Sequence, residues 1–243
     1  MPRVPKWLGD TMDAVFKNMY HPVQVTNTLN LSNGLKKVRF EGDLSKTRFT
    51  AGNVVEFRVT STDYRHYTPS CFNAEKGICE IIFYLHNKGV GSDWAGKLKT
   101  GDKIKLLGPG GKISYQHEFN SHLVFGDETS LGLMVCMQEE ARKNKHHFFT
   151  IAETDPAHTK WIDDLLPGYA RTVESSFASP ASPAIQYLEN EGFDISIDIK
   201  HTCFYLTGRA KSIQAMRAWL LSKKVSMKQI KTEPYWAEGK KGL

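Results

Sequence analysis

The chain has 243 residues, 40% of them hydrophobic and 24% charged, with a formal net charge of +6. That length can bury the core of one large or two small domains, and the balance is that of a globular chain, which excludes a disordered or fibrous one. No apolar run is long enough to span a bilayer, and no compact basic run carries the interleaved aromatics of a nucleic-acid surface, so the positive charge points to smaller anionic partners.

At the start, Pro2, Arg3, Pro5 and Lys6 are followed by no apolar signal core, which predicts a cytoplasmic protein with no stable membrane association. Trp7, Leu8, Met12, Val15, Phe16 and Met19 recur at helical spacing and predict an amphipathic helix, with a polar face too weakly basic for a membrane surface. Val23, Val25, Leu29 and Leu31 alternate with polar residues as a half-buried strand does. Asn33-Gly34 then predicts a hairpin turn into a return strand through Val38 and Phe40. Further extended segments are expected through Val55 to Val59, Arg65 to Phe72, Ile78 to His86 and Ile104 to Leu107. Many short alternating strands separated by turns indicate an antiparallel barrel or sandwich.

The pattern changes near Gln116. Strands are expected at His122 to Phe125, His147 to Ile151, Ile195 to Ile199, Phe204 to Leu206 and Met227 to Lys231. Helices are expected at Leu131 to Ala141, Trp161 to Leu166, Ala184 to Glu189 and Ala210 to Lys223, the last with Ile213, Met216, Trp219 and Leu220 turned inward. Strands alternating with helices imply a mainly parallel sheet. The expected organisation is a two-domain β-barrel plus α/β chain, with an antiparallel barrel over residues 1–117 and an α/β domain over residues 118–243. Cys71, Cys79, Cys136 and Cys203 are scattered, with no Cys-x-x-Cys and no metal-ligand spacing, so free buried thiols and no metal site are expected. His146-His147 precedes a strand and reads as surface or core filler.

Three stretches carry chemistry. In Tyr64-Arg65-His66-Tyr67-Thr68-Pro69-Ser70, strand alternation points Arg65 and Tyr67 the same way and leaves Thr68 at the rim. A cation, an aromatic face and a hydroxyl suit a planar phosphorylated cofactor, although the same residues also suit a strand-end tyrosine beside a solvated arginine. The segment His86 to Ala95 and the run Gly108-Pro109-Gly110-Gly111 supply glycines that let backbone N–H groups approach a pyrophosphate. Ser92 would cap a short helix aimed at it; the plainer reading is a surface loop.

Arg65-His66-Tyr67-Thr68, His86 to Ala95, Gly108-Pro109-Gly110-Gly111, Gly126-Asp127-Glu128-Thr129 and the tail Tyr235-Trp236-x-x-Gly239 together resemble the siderophore-interacting proteins, flavin-dependent ferric-siderophore reductases of the ferredoxin-reductase superfamily. The resemblance implies an FAD-binding barrel followed by a Rossmann-like, NAD(P)H-binding-like domain. It implies that Arg65 touches the flavin phosphate, Tyr67 packs on the isoalloxazine, and Thr68 reaches the reactive ring nitrogen. His86, Gly91, Ser92 and Trp94 would hold the phosphates and ribityl chain. Asp127, Glu128, Thr129 and Ser130 would lie near the adenine end and the domain junction. The chain departs from the family pattern at Ser70, where a second Arg is usual, at Arg209, where an acid is usual, and in a short stretch between Glu153 and Ile195.

The implied chemistry is an electron relay. NAD(P)H or a ferredoxin reduces the flavin, which passes electrons to the Fe(III) of a ferric siderophore, and no acid, base or nucleophile is required of the protein. Lys240, Lys241 and Arg209 are expected to form a basic rim for an anionic siderophore. Arg209 has two further readings, as partner of the extra 2′-phosphate of NADPH and as an exposed residue opening the helix at Ala210. Two rival functions stay open: an NAD(P)H:flavin or ferredoxin-type oxidoreductase with another acceptor, and a flavin- or siderophore-binding carrier without turnover.

Overall fold

The computed structural model describes residues 19–192 and 198–240. The helix expected over residues 7–19, the strand positions Ile195 and Ile197, and Lys241 therefore lie outside the described residues. The chain forms two compact units that divide between Gly111 and Lys112. Ser114 to His117, counted with the barrel in the sequence reading, fall in the second unit, where the Gln116 N–H donates to Tyr205 Oη at 3.0 Å.

In the first unit, alternating sequence becomes seven strands: β1 (Tyr20–Ser32), β2 (Leu35–Gly42), β3 (Val54–Arg58), β4 (Tyr64–Tyr67), β5 (Cys71–Asn73), β6 (Ile78–Tyr84) and β7 (Lys103–Gly110). They form one sheet in the order β4-β3-β7-β1-β2-β6-β5, with every pairing antiparallel. Val25, Val38, Phe40, Val55, Phe57 and Ile81 are sealed in its core. The β1–β2 turn needs Gly34, whose φ of +87° favours glycine. The extended run expected from Arg65 to Phe72 is two strands, because Pro69 has no N–H to continue a ladder. Those strands, β4 and β5, are the two edges of the sheet. The link Thr68-Pro69-Ser70 spans at most about 14 Å, so the ends of the sheet come round to each other and the sheet curls into the expected barrel. One helix, α1 (Val90–Lys97), follows β6.

The second unit is a five-stranded parallel sheet of β8 (Ser121–Gly126), β9 (His147–Thr154), β10 (Ala170–Glu174), β11 (Thr202–Arg209) and β12 (Ile230–Trp236), in the order β10-β9-β8-β11-β12. It carries α2 (Leu131–Asn144), α3 (Thr159–Leu165), α4 (Ser182–Tyr187) and α5 (Ala210–Ser222). Strands β8 and β11 are buried at every residue, as expected for parallel strands covered on both faces. Strand order reverses between these two, so their carboxyl ends define the switch point where open α/β sheets take ligands.

Several expectations are corrected. Strand β10, an edge strand reading Ala-Arg-Thr-Val-Glu, has no apolar alternation to announce it. The last strand begins at Ile230, because Ser226 and Gln229 form a capping box that turns Met227–Gln229 into a helical turn. Ile199 sits in a turn capped by Asp198, not in a strand. Trp219 packs against the core as expected, with its indole N–H donating to Glu189 at 2.9 Å. All four cysteines are free, but Cys71 is exposed. Among the described residues, no helix is long and apolar enough to cross a membrane.

Candidate functional site

In the first unit the predicted residues gather around β4 and the amino end of α1. Strand β4 pairs with β3, setting Tyr67 opposite Val55 and Arg65 opposite Phe57. Gly91, in the first turn of α1, lies against both side chains: a Cβ there would stand 2.8 Å from Tyr67 Oη and 3.2 Å from Arg65 Cγ. Arg65 and Tyr67 therefore leave the strand on one side, as their spacing requires, and only glycine fits between them and the helix. Arg65 is half-buried. Its guanidinium donates to the Tyr64 carbonyl of its own strand at 2.7 Å, and Asp63 stands 3.8 Å away.

The Tyr67 ring meets Phe83 edge-on at 4.8 Å between centroids and lies roughly parallel to Trp94 at 6.3 Å. Burial pushes its phenol above the ordinary range, against the opposing pull of Arg65, so the ring is a neutral face at any physiological pH. Trp94 packs on the barrel core beside Phe57, at 5.1 Å, which gives it an apolar setting. Thr68 is buried immediately after β4. His66 turns instead to Glu56, its register partner on β3, at 2.5 Å.

Helix α1 opens at Gly89, with φ +94°, and no side chain caps it. Ser92, expected as the cap, lies inside the first turn. Its hydroxyl accepts the Asn87 N–H at 3.1 Å and so secures the loop before the helix. His86 Nδ1 accepts the Lys88 N–H at 3.2 Å, and burial followed by the charge of Lys88 lowers its pKa, which favours the neutral ring.

In the second unit the predicted residues form a capped turn at the carboxyl end of β8. Asp127 is buried and caps a helical turn over Glu128–Ser130, accepting from the Thr129 N–H at 2.9 Å and from its hydroxyl. The indole of Trp236 donates to the other carboxylate oxygen at 2.7 Å. Burial raises the Asp127 carboxyl to about 6, opposed by its bonds from Thr129 and Trp236. Gly208, with φ +88°, passes so close that a Cβ there would come 2.5 Å from the carboxylate. The Thr207 hydroxyl donates to that of Ser130 at 2.8 Å. Glu128 accepts the Asp155 N–H at 2.9 Å and meets His158 Nδ1 at 2.7 Å.

Arg209 follows Gly208 and is buried, which corrects the reading of an exposed helix opener. The tail after β12 folds back over it. Glu238 takes its Nε at 2.5 Å and also its terminal nitrogen, the Ser176 and Phe177 carbonyls accept at 2.9 and 3.3 Å, and the Phe177 ring covers it at 4.4 Å. Lys240 is exposed. The sequence reading passed over Trp236 as a partner of Asp127, Glu238 as a partner of Arg209, and Lys36, buried in β2. No periodicity distinguishes such residues, because each is defined by a contact made far along the chain.

A model of the siderophore-interacting FAD-binding domain matches residues 58–113, the stretch from the end of β3 past β7. The ferric vibriobactin reductase ViuB of Vibrio cholerae is 22% identical over 182 residues, 72% of this chain and 65% of that protein. The chain thus matches somewhat under two thirds of that curated relative's length. NADH-cytochrome b5 reductase 1 of Dictyostelium discoideum is 36% identical over 110 residues, 42% of this chain and 38% of that protein. The siderophore-interacting protein SipS of Aeromonas hydrophila superposes with a TM-score of 0.72 at 20% identity, covering 92% of this chain and 94% of that one. The resemblance drawn from the motifs therefore holds over residues 58–113, which match an FAD-binding domain and support FAD as the cofactor, and the fold is the one seen in SipS. The residues fit that group: Arg65 and the opening amides of α1 suit phosphate, Tyr67 offers a neutral ring, and Gly91 keeps the helix end clear of side chain.

Proposed function

We propose, on the premise that residues 58–113 carry an FAD-binding domain of the siderophore-interacting type, that this chain is a cytoplasmic ferric-siderophore reductase. The observation that carries the reading is the meeting of Arg65, Tyr67 and Gly91 at one end of α1, inside the matched stretch. Arg65, Tyr67 and the amino end of α1 would hold FAD, which when bound would supply the relay chemistry between a two-electron or one-electron donor, NAD(P)H or a ferredoxin, and Fe(III). Fe(III) is a hard ion gripped by oxygen donors and Fe(II) is held more weakly, so reduction frees the iron.

The protein's own work is placement and charge. Arg65 and the positive end of α1 hold the phosphates, while Tyr67, kept neutral by burial, covers the ring system without exchanging protons with it. Thr68 would border the ring from the strand end. His86 and Ser92 support the loop before α1. No catalytic acid or base is assigned. Arg209 has its guanidinium committed to Glu238, so the basic rim for an anionic ferric siderophore rests on Lys240 and Lys241.

Purified protein should show the two-band absorption of an oxidised flavin. The bands should bleach with NADPH, NADH or reduced ferredoxin under anaerobic conditions and return on adding a ferric siderophore. Bleaching without siderophore-driven return, but with return on adding cytochrome or quinone, would favour the second reading, a general NADH oxidoreductase, to which the 36% identity with the cytochrome b5 reductase lends weight. A bound flavin that no donor bleaches would leave a carrier.

A further inference from the structure

Lys36 lies in β2 inside the barrel sheet, paired with Asn30 of β1 and Phe83 of β6, and only 6% of its surface is exposed. A buried ammonium is costly unless its donors are met. Here all three are met by backbone: Nζ lies 3.2 Å from the Ala95 carbonyl, 3.0 Å from that of Gly96 and 2.6 Å from that of Leu98. These oxygens surround the carboxyl end of α1, where a helix leaves carbonyls without internal donors and carries its partial negative charge. Burial lowers the pKa of Lys36, and the charge of Asp102 opposes that shift.

The opposite end of the same helix is the one that meets Arg65 and Tyr67 through Gly91. At about 1.5 Å per residue, the helix is a rigid rod about 12 Å long. Trp94, Ala95 and Leu98 press it sideways onto the barrel core. Apolar contacts of that kind tolerate sliding, because they have no direction. The three Lys36 bonds do not, because each has a fixed length and direction. A slide of one residue would break them and would either drive Gly91 into Tyr67 or draw the opening amides away from it.

We propose that Lys36 is the positioning residue that fixes the axial register of α1 and thereby aims its amino end at the phosphates of FAD; this rests on the reading of Arg65, Tyr67 and Gly91 as the flavin site. The effect is specific to the phosphates. Loss of Lys36 weakens flavins that carry phosphate and spares the bare ring and ribityl chain, whereas a residue that merely supports the fold would weaken all of them alike.

The experiment uses the full chain stripped of flavin and measures binding of FAD and FMN by fluorescence, and of riboflavin by competition. Lys36→Met keeps the length of the side chain and removes the charge. It should weaken FAD and FMN by about tenfold or more, while riboflavin stays within about twofold. Lys36→Arg restores charge but cannot converge three donors on one point, so it should fall between Lys36→Met and the parent. It also keeps the test open if Lys36→Met does not fold. Equal weakening of FAD and riboflavin in the folded variants, or unchanged FAD binding in them, would overturn the proposal. Failure of the unmodified chain to bind any of the three flavins would instead overturn the flavin site itself.

Discussion

Each unit sets an arginine in a strand at its candidate site, and the two differ in what holds the guanidinium. Arg65 has one firm bond, to the carbonyl of its own neighbour, and a carboxylate at 3.8 Å. Arg209 has a carboxylate, two carbonyls and two aromatic rings around it. The surrounding charge differs in the same sense. Residues 19–111 carry thirteen Lys and Arg against eight Asp and Glu, whereas residues 112–240 carry fifteen against sixteen. An arginine is available to an anionic ligand when the protein has left its donors unspent in a field of its own sign. By that measure the barrel is prepared for phosphate, and the α/β lobe has supplied its arginine with an internal anion.

The contrast breaks most sharply under paired substitution. Arg209→Ala should lower unfolding stability by about 3 kcal/mol, since it strips a partner from a largely enclosed ion pair. It should leave FAD affinity as it was, which denaturant titration beside FAD binding will separate. Arg65→Ala should do the reverse, weakening FAD by about 2 kcal/mol, in the range for hydrogen bonds to a charged group, with little change in stability. Arg65→Lys should fall between the parent and Arg65→Ala. A loss of FAD binding in the Arg209 variant equal to that in the Arg65 variant would erase the distinction.

The lobe's second internal anion, Asp127, gives the comparison a pH dependence. Burial raises its carboxyl to about 6 in the folded chain, from an ordinary value near 3.8. The folded state therefore binds the proton more tightly, and the resulting stabilisation is complete below about pH 4 and is lost as pH rises through 6. His122 works in the opposite sense. Buried beside His146 at 3.2 Å and Tyr205 at 3.3 Å, it is lowered to about 4, so its contribution is present above pH 6.5 and is lost as pH falls through 4. Asp127→Asn should remove the first effect alone. Relative to the parent, the variant should lose up to about 1.4 kcal/mol of stability per pH unit on going from pH 6 to pH 4. Parallel curves for the two proteins would show that Asp127 does not titrate there.

Smaller effects sharpen the barrel side. Tyr67→Ala should alter the flavin absorption bands and cost about 1 kcal/mol of binding beyond the lost area. Replacing Lys240 and Lys241 by Gln should be the mildest change. Exposed charges are screened over about 8 Å at physiological salt, so only the apparent KM for an anionic ferric siderophore should rise, with a weaker salt dependence than in the parent and none of it for a neutral siderophore.

The two units were also unequally legible. The barrel strands were visible because one face is buried and alternation records it, as in Val23 and Val25 or Val55 and Phe57. Arg65 and Tyr67 were legible as a pair because strand spacing is a local signal, whereas Gly91 joined them only through the family resemblance. In the lobe, β8 and β11 showed only as apolar runs, and β10 did not show at all, since an edge strand half open to solvent needs no pattern. The partners of Asp127 and Arg209 were hidden for another reason. Trp236 lies 109 positions from Asp127, and Glu238 lies 29 from Arg209. Lys36, in a Lys-Lys pair within a strand, carries no local signal that separates it from a solvated charge; only the helix end it meets does.

The barrel's edge strands, β4 and β5, lead into each other through Thr68-Pro69-Ser70. Each has a hydrogen-bonded neighbour strand on one side only, and the seam between them runs beside Tyr67. A cylinder opens most readily along its seam, and this seam lies beside the residues proposed to hold the cofactor. FAD held at Arg65 and Tyr67, as proposed, would act as a rivet, coupling cofactor loading to barrel closure. Amide exchange should slow on adding FAD far more in β4 and β5 than in β1 and β2, whose ladders are paired on both sides. Flavin content in a preparation would thereby become a gauge of how completely the barrel has shut.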